Sequence, residues 1–316
     1  MSTVKEGYNS KNNLLVAVIG PTATGKSKLA IQLAQRFDGE IVSADSRQVY
    51  RHMDIGTAKS SPDELILIPQ HIVDIINPDE EFSLAQYQQM AYQAIGNIQQ
   101  HQQLPLLVGG SGLYVWAVLE GWKIPEVAPD LEFRQKLEER EARGEAGKLY
   151  RELEKTDPTA ARRIDPRNVR RVIRALEVSR NGRASMSQLQ GKETPPFDIL
   201  IIGLTTERTE LYRRIDRRVD KMIEQGLVEE VKKLVDMGFN MDLPAMSGIG
   251  YKQIGAFLKG ELTLESAIGQ IKTETHRFVR RQYNWFRLTD DRIKWFDITN
   301  DFESEVAELV NRFISK

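Results

Sequence analysis

Residues 14 to 27 read LLVAVIGPTATGKS, and this stretch narrows the fold more than any other. The six apolar residues Leu14 to Ile19 run into turn residues, which marks a strand buried on both faces. The segment that follows, Lys26 to Phe37, carries apolar residues at Leu29, Ile31, Leu33, Ala34 and Phe37 and suits a helix. Between them lies the pattern G-x-x-x-x-G-K-S. In a strand–loop–helix setting the glycines of such a loop let backbone N–H groups turn inward, and the helix N-terminus adds its partial positive charge. Gly20, Pro21, Thr22, Ala23, Thr24, Gly25, Lys26 and Ser27 are therefore expected to hold a diphosphate or polyphosphate. Lys26 reaches the outer phosphate in this pattern, and the Ser27 hydroxyl holds Mg2+.

Strand and helix go on alternating. Ile41 to Ala44 and His71 to Ile76 read as strands, and Ser83 with Gln86 forms a capping box that opens a helix towards Gln99. Pro105 precedes a strand at Leu106 to Val108, and a GGSG turn leads into Leu113 to Leu119. The alternation predicts an α/β fold, a phosphate-loop parallel sheet covered by helices on both faces. Such sheets bind their ligand at the carboxyl ends of the strands. Between 123 and 197 the texture becomes helical and heavily charged, as in LEFRQKLEEREARGEAGKLYRELEK, and it closes with the linker KETPP. Ile199 to Leu204 then returns to buried-strand composition. The expected organisation is a catalytic core over 1–122 and 198–316 with a mainly helical insertion domain over 123–197. From Glu207 onward the chain reads as mostly helical, with a late strand at 293 to 299.

The net charge of −1 gives no whole-molecule sign of a nucleic-acid partner, so charge has to be read locally. Absence of cysteine excludes disulfides and thiolate zinc sites. His52, His71, His101 and His276 are scattered without the paired spacing of a metal site and read as structural or solvated. The N-terminal MSTVKEGYNSKNN has no signal-peptide core, and no stretch approaches the roughly 18 apolar residues of a membrane span. A cytoplasmic protein without membrane contact is expected, and a monomer.

Chains that use this loop to hydrolyse nucleoside triphosphates place an acid at the end of a second apolar strand, to hold Mg2+ and orient water. Here Leu106 to Val108 runs into Gly109, Gly110 and Ser111, with no carboxylate. The carboxylate that does end a strand is Asp45, about twenty residues after the loop. An isolated Asp-Ser pair is more often a helix cap or turn former. On the ligand side of a phosphate-loop sheet, a general base or Mg2+ partner is an equal reading. Arg214, Arg218 and Lys221 share a helical face beside the apolar stripe Ile215, Val219 and Met222, which by itself reads as a solvated basic face. Eight arginines against two acids lie between 162 and 183, and five basic residues mix with Phe278, Tyr283, Trp285 and Phe286 between 272 and 287. Both suit RNA, where arginine pairs with phosphate and aromatics stack on unpaired bases. Pairing with the acidic EEREARGE stretch is the alternative for the first cluster. A core role is the alternative for the second, since Phe278 and Trp285 fall seven apart on one helical face.

GPTATGKS, DSRQVYRHMDIGTAK, VGGSGLYVWAVLEG, RRVIRALEV and GIGYKQ stand in the order found in the tRNA dimethylallyltransferases, also called tRNA isopentenyltransferases. The chain resembles bacterial-type members of that family from about Leu14 to Arg287, with DSRQVYRHMDIGTAK the most diagnostic piece. The resemblance implies transfer of the dimethylallyl group from dimethylallyl diphosphate to N6 of the adenosine just 3′ of the anticodon in tRNA. The phosphate loop would then grip a leaving diphosphate, with Mg2+ as cofactor and the anticodon stem-loop as partner. It further implies Asp45 as general base, and Asp45, Ser46, Arg47 and Gln48 as the segment that reads the target adenosine. Ser111 falls where many relatives have Thr, and Arg218 matches an arginine that reaches the diphosphate from the other side. Arg134, Arg170, Arg171 and Arg174, with Gly248, Gly250, Tyr251, Lys252 and Gln253, match positions that touch tRNA, although relatives often carry Gln at position 170. The rivals are a phosphate-loop small-molecule kinase, a prenyltransferase acting on free adenine nucleotides, and an RNA-binding protein with a vestigial loop. The missing acid after Val108 opposes the first and the basic platform opposes the second. Intact Lys26, Ser27 and Asp45 oppose the third.

Overall fold

The computed structural model describes residues 13–125, 127, 130–181, 185–189 and 191–315. The first half builds β1 (Leu14–Ile19), α1 (Lys26–Phe37), β2 (Gly39–Ser43), α2 (Pro62–Leu67), β3 (Gln70–His71), α3 (Leu84–Gln100), β4 (Leu104–Gly109) and α4 (Gly112–Leu119). An inserted segment follows, with β5 (Trp122–Lys123), α5 (Leu131–Arg140), α6 (Ala146–Thr156), α7 (Pro158–Ala161), α8 (Val169–Asn181), α9 (Met186–Leu189) and β6 (Gly191–Lys192). The chain then forms β7 (Asp198–Thr205), α10 (Arg208–Glu224), α11 (Leu227–Asp236), α12 (Tyr251–Leu258), α13 (Leu264–Trp285), β8 (Ile293–Asp297) and α14 (Glu303–Ile314). Two compact units result, one of residues 1–119 with 195–316 and the other of residues 120–194, against an expected insertion over 123–197. Among the described residues no helix is long and apolar enough to cross a membrane.

Six strands make one sheet in the order β3-β2-β4-β1-β7-β8, and every pairing in it is parallel. β1 and β4 lie at its centre and are buried at every residue, as their unbroken apolar composition requires. Each fully buried Leu, Ile or Val side chain there stabilises the fold by about 1.5–3 kcal/mol. Leu29, Ala30, Leu33 and Ala34 of α1 and Val306 and Val310 of α14 close the core over this sheet. α3 starts where the sequence places it. Ser83 Oγ accepts from Gln86 N–H at 3.2 Å, and the Gln86 side chain accepts from Ser83 N–H at 2.9 Å. The insertion buries a separate core around Leu149, Leu153, Val172, Ala175 and Val178.

Two local expectations fail. The run His71 to Ile76 is not a strand. Only Gln70 and His71 join the sheet, and Ile72 and Asp74 adopt left-handed backbone at φ 63° and 55°. The reason is competition for its backbone groups. Asp74, Ile75 and Ile76 donate to the carbonyls of Gln48 and Val49, and Arg51 donates to the carbonyls of Asp74 and Ile75. Pro105 sits inside β4 rather than before it, opposite Glu40 and one residue ahead of the first rung to β1, Val16 with Leu106. Its missing N–H therefore falls where no rung to β1 is made.

Candidate active site

The carboxyl ends of β1, β2 and β4 carry the loops 20–27, 44–48 and 109–111, so parallel order brings three distant segments to one edge. Together with one face of α10 and one of α13 they line a cavity of 470 Å³. Ile215, Arg218, Val219 and Met222 face it from α10, spaced i, i+3, i+4 and i+7. Ile271, Thr275, Phe278 and Gln282 face it from α13 with the same helical logic.

The phosphate loop is held by its own atoms. Gly20 lies at φ 136°, and a β-carbon there would overlap the carbonyl oxygen of Leu204, so the turn leaving β1 needs glycine. Ala23 is also left-handed, at φ 66°, and Thr24 Oγ1 donates to the carbonyl of Pro21 at 2.9 Å. Gly25 precedes α1, and Lys26 Nζ donates to the Pro21 carbonyl at 2.7 Å. Thr22, Lys26 and Ser27 line the cavity. Arg218 Nη1 lies 3.4 Å from Thr22 Oγ1, across the loop from α10. Loss of water around the Lys26 ammonium, together with the Arg218 charge, brings its pKa down to about 7, with Asp45 acting in the opposite direction. Burial likewise lowers the Arg218 guanidinium, again opposed by Asp45. Arg214 pairs instead with Glu210 at 3.0 Å, and Lys221 is exposed.

Asp45 sits beyond the end of β2 and lines the same cavity. Its Oδ1 accepts from Arg47 N–H at 2.8 Å, a turn-forming bond. Ser111 ties this segment to the neighbouring strand: its N–H donates to the Ala44 carbonyl at 3.2 Å, and its Oγ accepts from Ser46 N–H at 3.0 Å. Gln48 is engaged on both ends, accepting from Ser43 Oγ at 3.1 Å and donating to the carbonyls of Thr57 and Ala58 at 3.3 Å. Arg47 reaches the carbonyls of Pro244 and Ala245 at 2.8 and 3.2 Å and so anchors the loop before α12. Gly248, Gly250 and Tyr251 line the cavity from that loop. Gln253 is buried and accepts from Gly250 N–H at 2.9 Å, whereas Lys252 is exposed outside the lining.

Two site-shaping residues show nothing of their partners in the local sequence. Glu230 of α11 accepts from the N–H groups of Asp54, Ile55 and Gly56 at 2.9, 2.7 and 3.1 Å and from Tyr251 OH at 2.6 Å, which locks the loop that holds Gln48. Gln282 bonds to both the phosphate loop and the 109–111 loop. A polar residue on the inward stripe of α13 is the one clue to it. The aromatics of α13, with Phe286 just beyond it, divide differently from the expectation that Phe278 and Trp285 share a core face. Phe286 is the fully buried one, Phe278 lines the cavity, and Trp285 is 41% exposed.

In the insertion, Arg162, Arg163, Arg170 and Arg171 are exposed. Arg134 and Arg174 converge on the fully buried Glu177. Arg134 binds both of its oxygens, at 2.8 and 3.0 Å, and Arg174 bonds to Glu177 and to the Val127 carbonyl. Burial raises the Glu177 pKa, but the two arginines and the Asp130 N–H outweigh it and hold the carboxyl below its ordinary range. Arg167 pairs with Asp165 at 2.7 Å.

The sequence profile described as IPP transferase matches residues 48–289. A tRNA dimethylallyltransferase of Dehalococcoides mccartyi is 48% identical over 95% of this chain and 93% of its own length. One from Thermomicrobium roseum is 49% identical over 96% and 92%. Among solved structures, the tRNA isopentenylpyrophosphate transferase of Bacillus halodurans superposes with TM-score 0.71 at 41% identity, covering 96% of this chain and 97% of that one. A eukaryotic dimethylallyltransferase described as acting on tRNA gives TM-score 0.83 at 28% identity, over 96% of this chain and 80% of that one.

Proposed function

The chain belongs to the IPP transferase family of tRNA-prenylating enzymes, and we propose that it moves a dimethylallyl group from dimethylallyl diphosphate to N6 of the adenosine 3′ to the anticodon. The observation that carries this reading is the meeting of Lys26, Arg218 and Asp45 on one cavity. Cations for a leaving diphosphate stand there opposite a carboxylate for an incoming amine. In the transfer, the N6–C bond forms as the allylic C–O bond breaks, and the bonding electrons leave with diphosphate. Loop N–H groups, Lys26 and Arg218 stabilise that growing charge more than the ground state. The amine lone pair is delocalised into the adenine ring, so it attacks only as its proton departs, and the Asp45 carboxylate takes that proton.

Mg2+ fits the donor set. Ser27 and Asp45 bring hard oxygen atoms to the cavity, and among the described residues no group of three or more His, Asp or Glu forms an all-protein cage. That suits an ion which keeps its waters and takes further oxygens from a diphosphate. When bound, it would neutralise part of the leaving group's charge. Exposed Arg170 and Arg171 are read as phosphate contacts to the anticodon stem-loop. Arg134 and Arg174 join them only with the N–H groups that Glu177 leaves over. Gly248 to Gln253, with Ser46, Arg47 and Gln48, are read as the acceptor side. The working form is a cytoplasmic monomer.

The test is label transfer from dimethylallyl diphosphate to unmodified tRNA with Mg2+ and without ATP, followed by nucleoside analysis. Label on N6 of the adenosine beside the anticodon supports the reading. No transfer, with ATP consumed when metabolites are added, overturns it in favour of a kinase.

A further inference from the structure

Gln282 is 3% exposed on α13, a helix otherwise rich in surface charge, and no packing need calls for an amide there. Its Oε1 accepts from Thr22 N–H in the phosphate loop at 2.9 Å, and its Nε2 donates to the Gly110 carbonyl at 2.9 Å. The orientation is forced, because an N–H needs an acceptor and a carbonyl needs a donor. Gly110 is part of the fit, since a β-carbon there would overlap Nε2. From Gly110 the chain of bonds continues through Ser111 to Ala44 and Ser46, on either side of Asp45.

We propose that Gln282 is a positioning residue that sets the spacing between the diphosphate-binding loop and the general base. This rests on the reading of the function given above. A shift of about 1 Å between reacting groups is enough to slow a reaction about a hundredfold, and here one side chain ties the phosphate loop to the 109–111 loop, whose Ser111 is bonded to both chain neighbours of Asp45. Thr22 N–H thereby serves as an anchor rather than a phosphate donor. Only an amide, or a protonated carboxyl, supplies one acceptor and one donor at this separation.

The test compares wild type with Gln282→Leu, Gln282→Glu and Gly110→Ala. It reads the single-turnover rate at saturating dimethylallyl diphosphate and tRNA, tRNA affinity, and hydrogen exchange at the Thr22 amide. Gln282→Leu is expected to lower the single-turnover rate at least tenfold, with tRNA affinity within twofold of wild type and Thr22 exchange at least tenfold faster. Gln282→Glu is expected to recover relative to wild type as pH falls, since the protonated carboxyl can again donate to Gly110. A merely structural role would lower Tm and the active fraction but leave the single-turnover rate and its pH profile alone. Wild-type rate and wild-type Thr22 exchange in Gln282→Leu overturn the proposal. If that variant does not fold, an unshifted pH profile in Gln282→Glu together with a wild-type rate in Gly110→Ala does so. Failure of the wild-type chain to transfer the group would sink the functional reading instead, and Thr22 exchange would still decide the clamp.

Discussion

Positive charge is gathered twice in this molecule, and the two clusters are finished differently. In the insertion, Arg134 and Arg174 close on Glu177, which is fully buried and satisfied by four N–H donors from three residues. In the core, Lys26 and Arg218 form no ion pair among the described residues; they donate to a carbonyl and a hydroxyl, with Asp45 near enough to be felt. The first arrangement is complete as it stands. The second holds two desolvated cations against each other, which raises the free energy of the ligand-free site and is relieved by an anion. Sequence composition marks both segments as basic, but only the pairing distinguishes scaffold from site.

Removing the unfinished charge should have the largest effect. Lys26→Ala is expected to lower prenyl transfer by about a thousandfold while leaving tRNA affinity near wild type, checked by single-turnover transfer and filter binding. Loss of tRNA binding instead would contradict a role on the diphosphate. Asp45→Asn keeps the shape and the bond from Arg47 but removes the base, and turnover should fall about a hundredfold. Near-normal turnover would take Asp45 out of the mechanism. The insertion should respond in stability where the core responds in rate. Arg174→Ala leaves part of Glu177 unpaired and should cost about 1–3 kcal/mol in denaturant unfolding. Arg171→Ala should change stability by less than about 0.5 kcal/mol, yet weaken tRNA binding and reduce its salt slope by about one. Equal effects of the two substitutions on stability and binding would erase the distinction.

Much of the core was legible because its signals are local. The LLVAVI run, the loop after it and the Ser83–Gln86 box each encode their structure within a few residues, and GGSG announces the turn after the 106–108 run. What was not legible depends on sheet order. His71 to Ile76 has strand composition, but the 48–51 turn and Arg51 take its backbone partners, and nothing within the run says so. Gln282 and Glu230 bond to loops more than 170 residues away. Their polarity shows, but not their partners. Trp285 and Phe286 are adjacent, and helical phase alone does not decide which of the two is buried.

The most direct test of the central claim is the proton balance of diphosphate binding. Free Lys26 has a pKa of about 7, and a bound anion beside it raises that value. Between the two values binding takes up a proton, and affinity falls as pH rises above 7, by up to about tenfold per pH unit. Calorimetric titration of inorganic diphosphate with Mg2+ near pH 8, in buffers of different ionisation enthalpy, should show about one more proton taken up by wild type than by Lys26→Met. Equal uptake by the two proteins would mean that Lys26 is not the cation the anion completes, and the account of this site would fail.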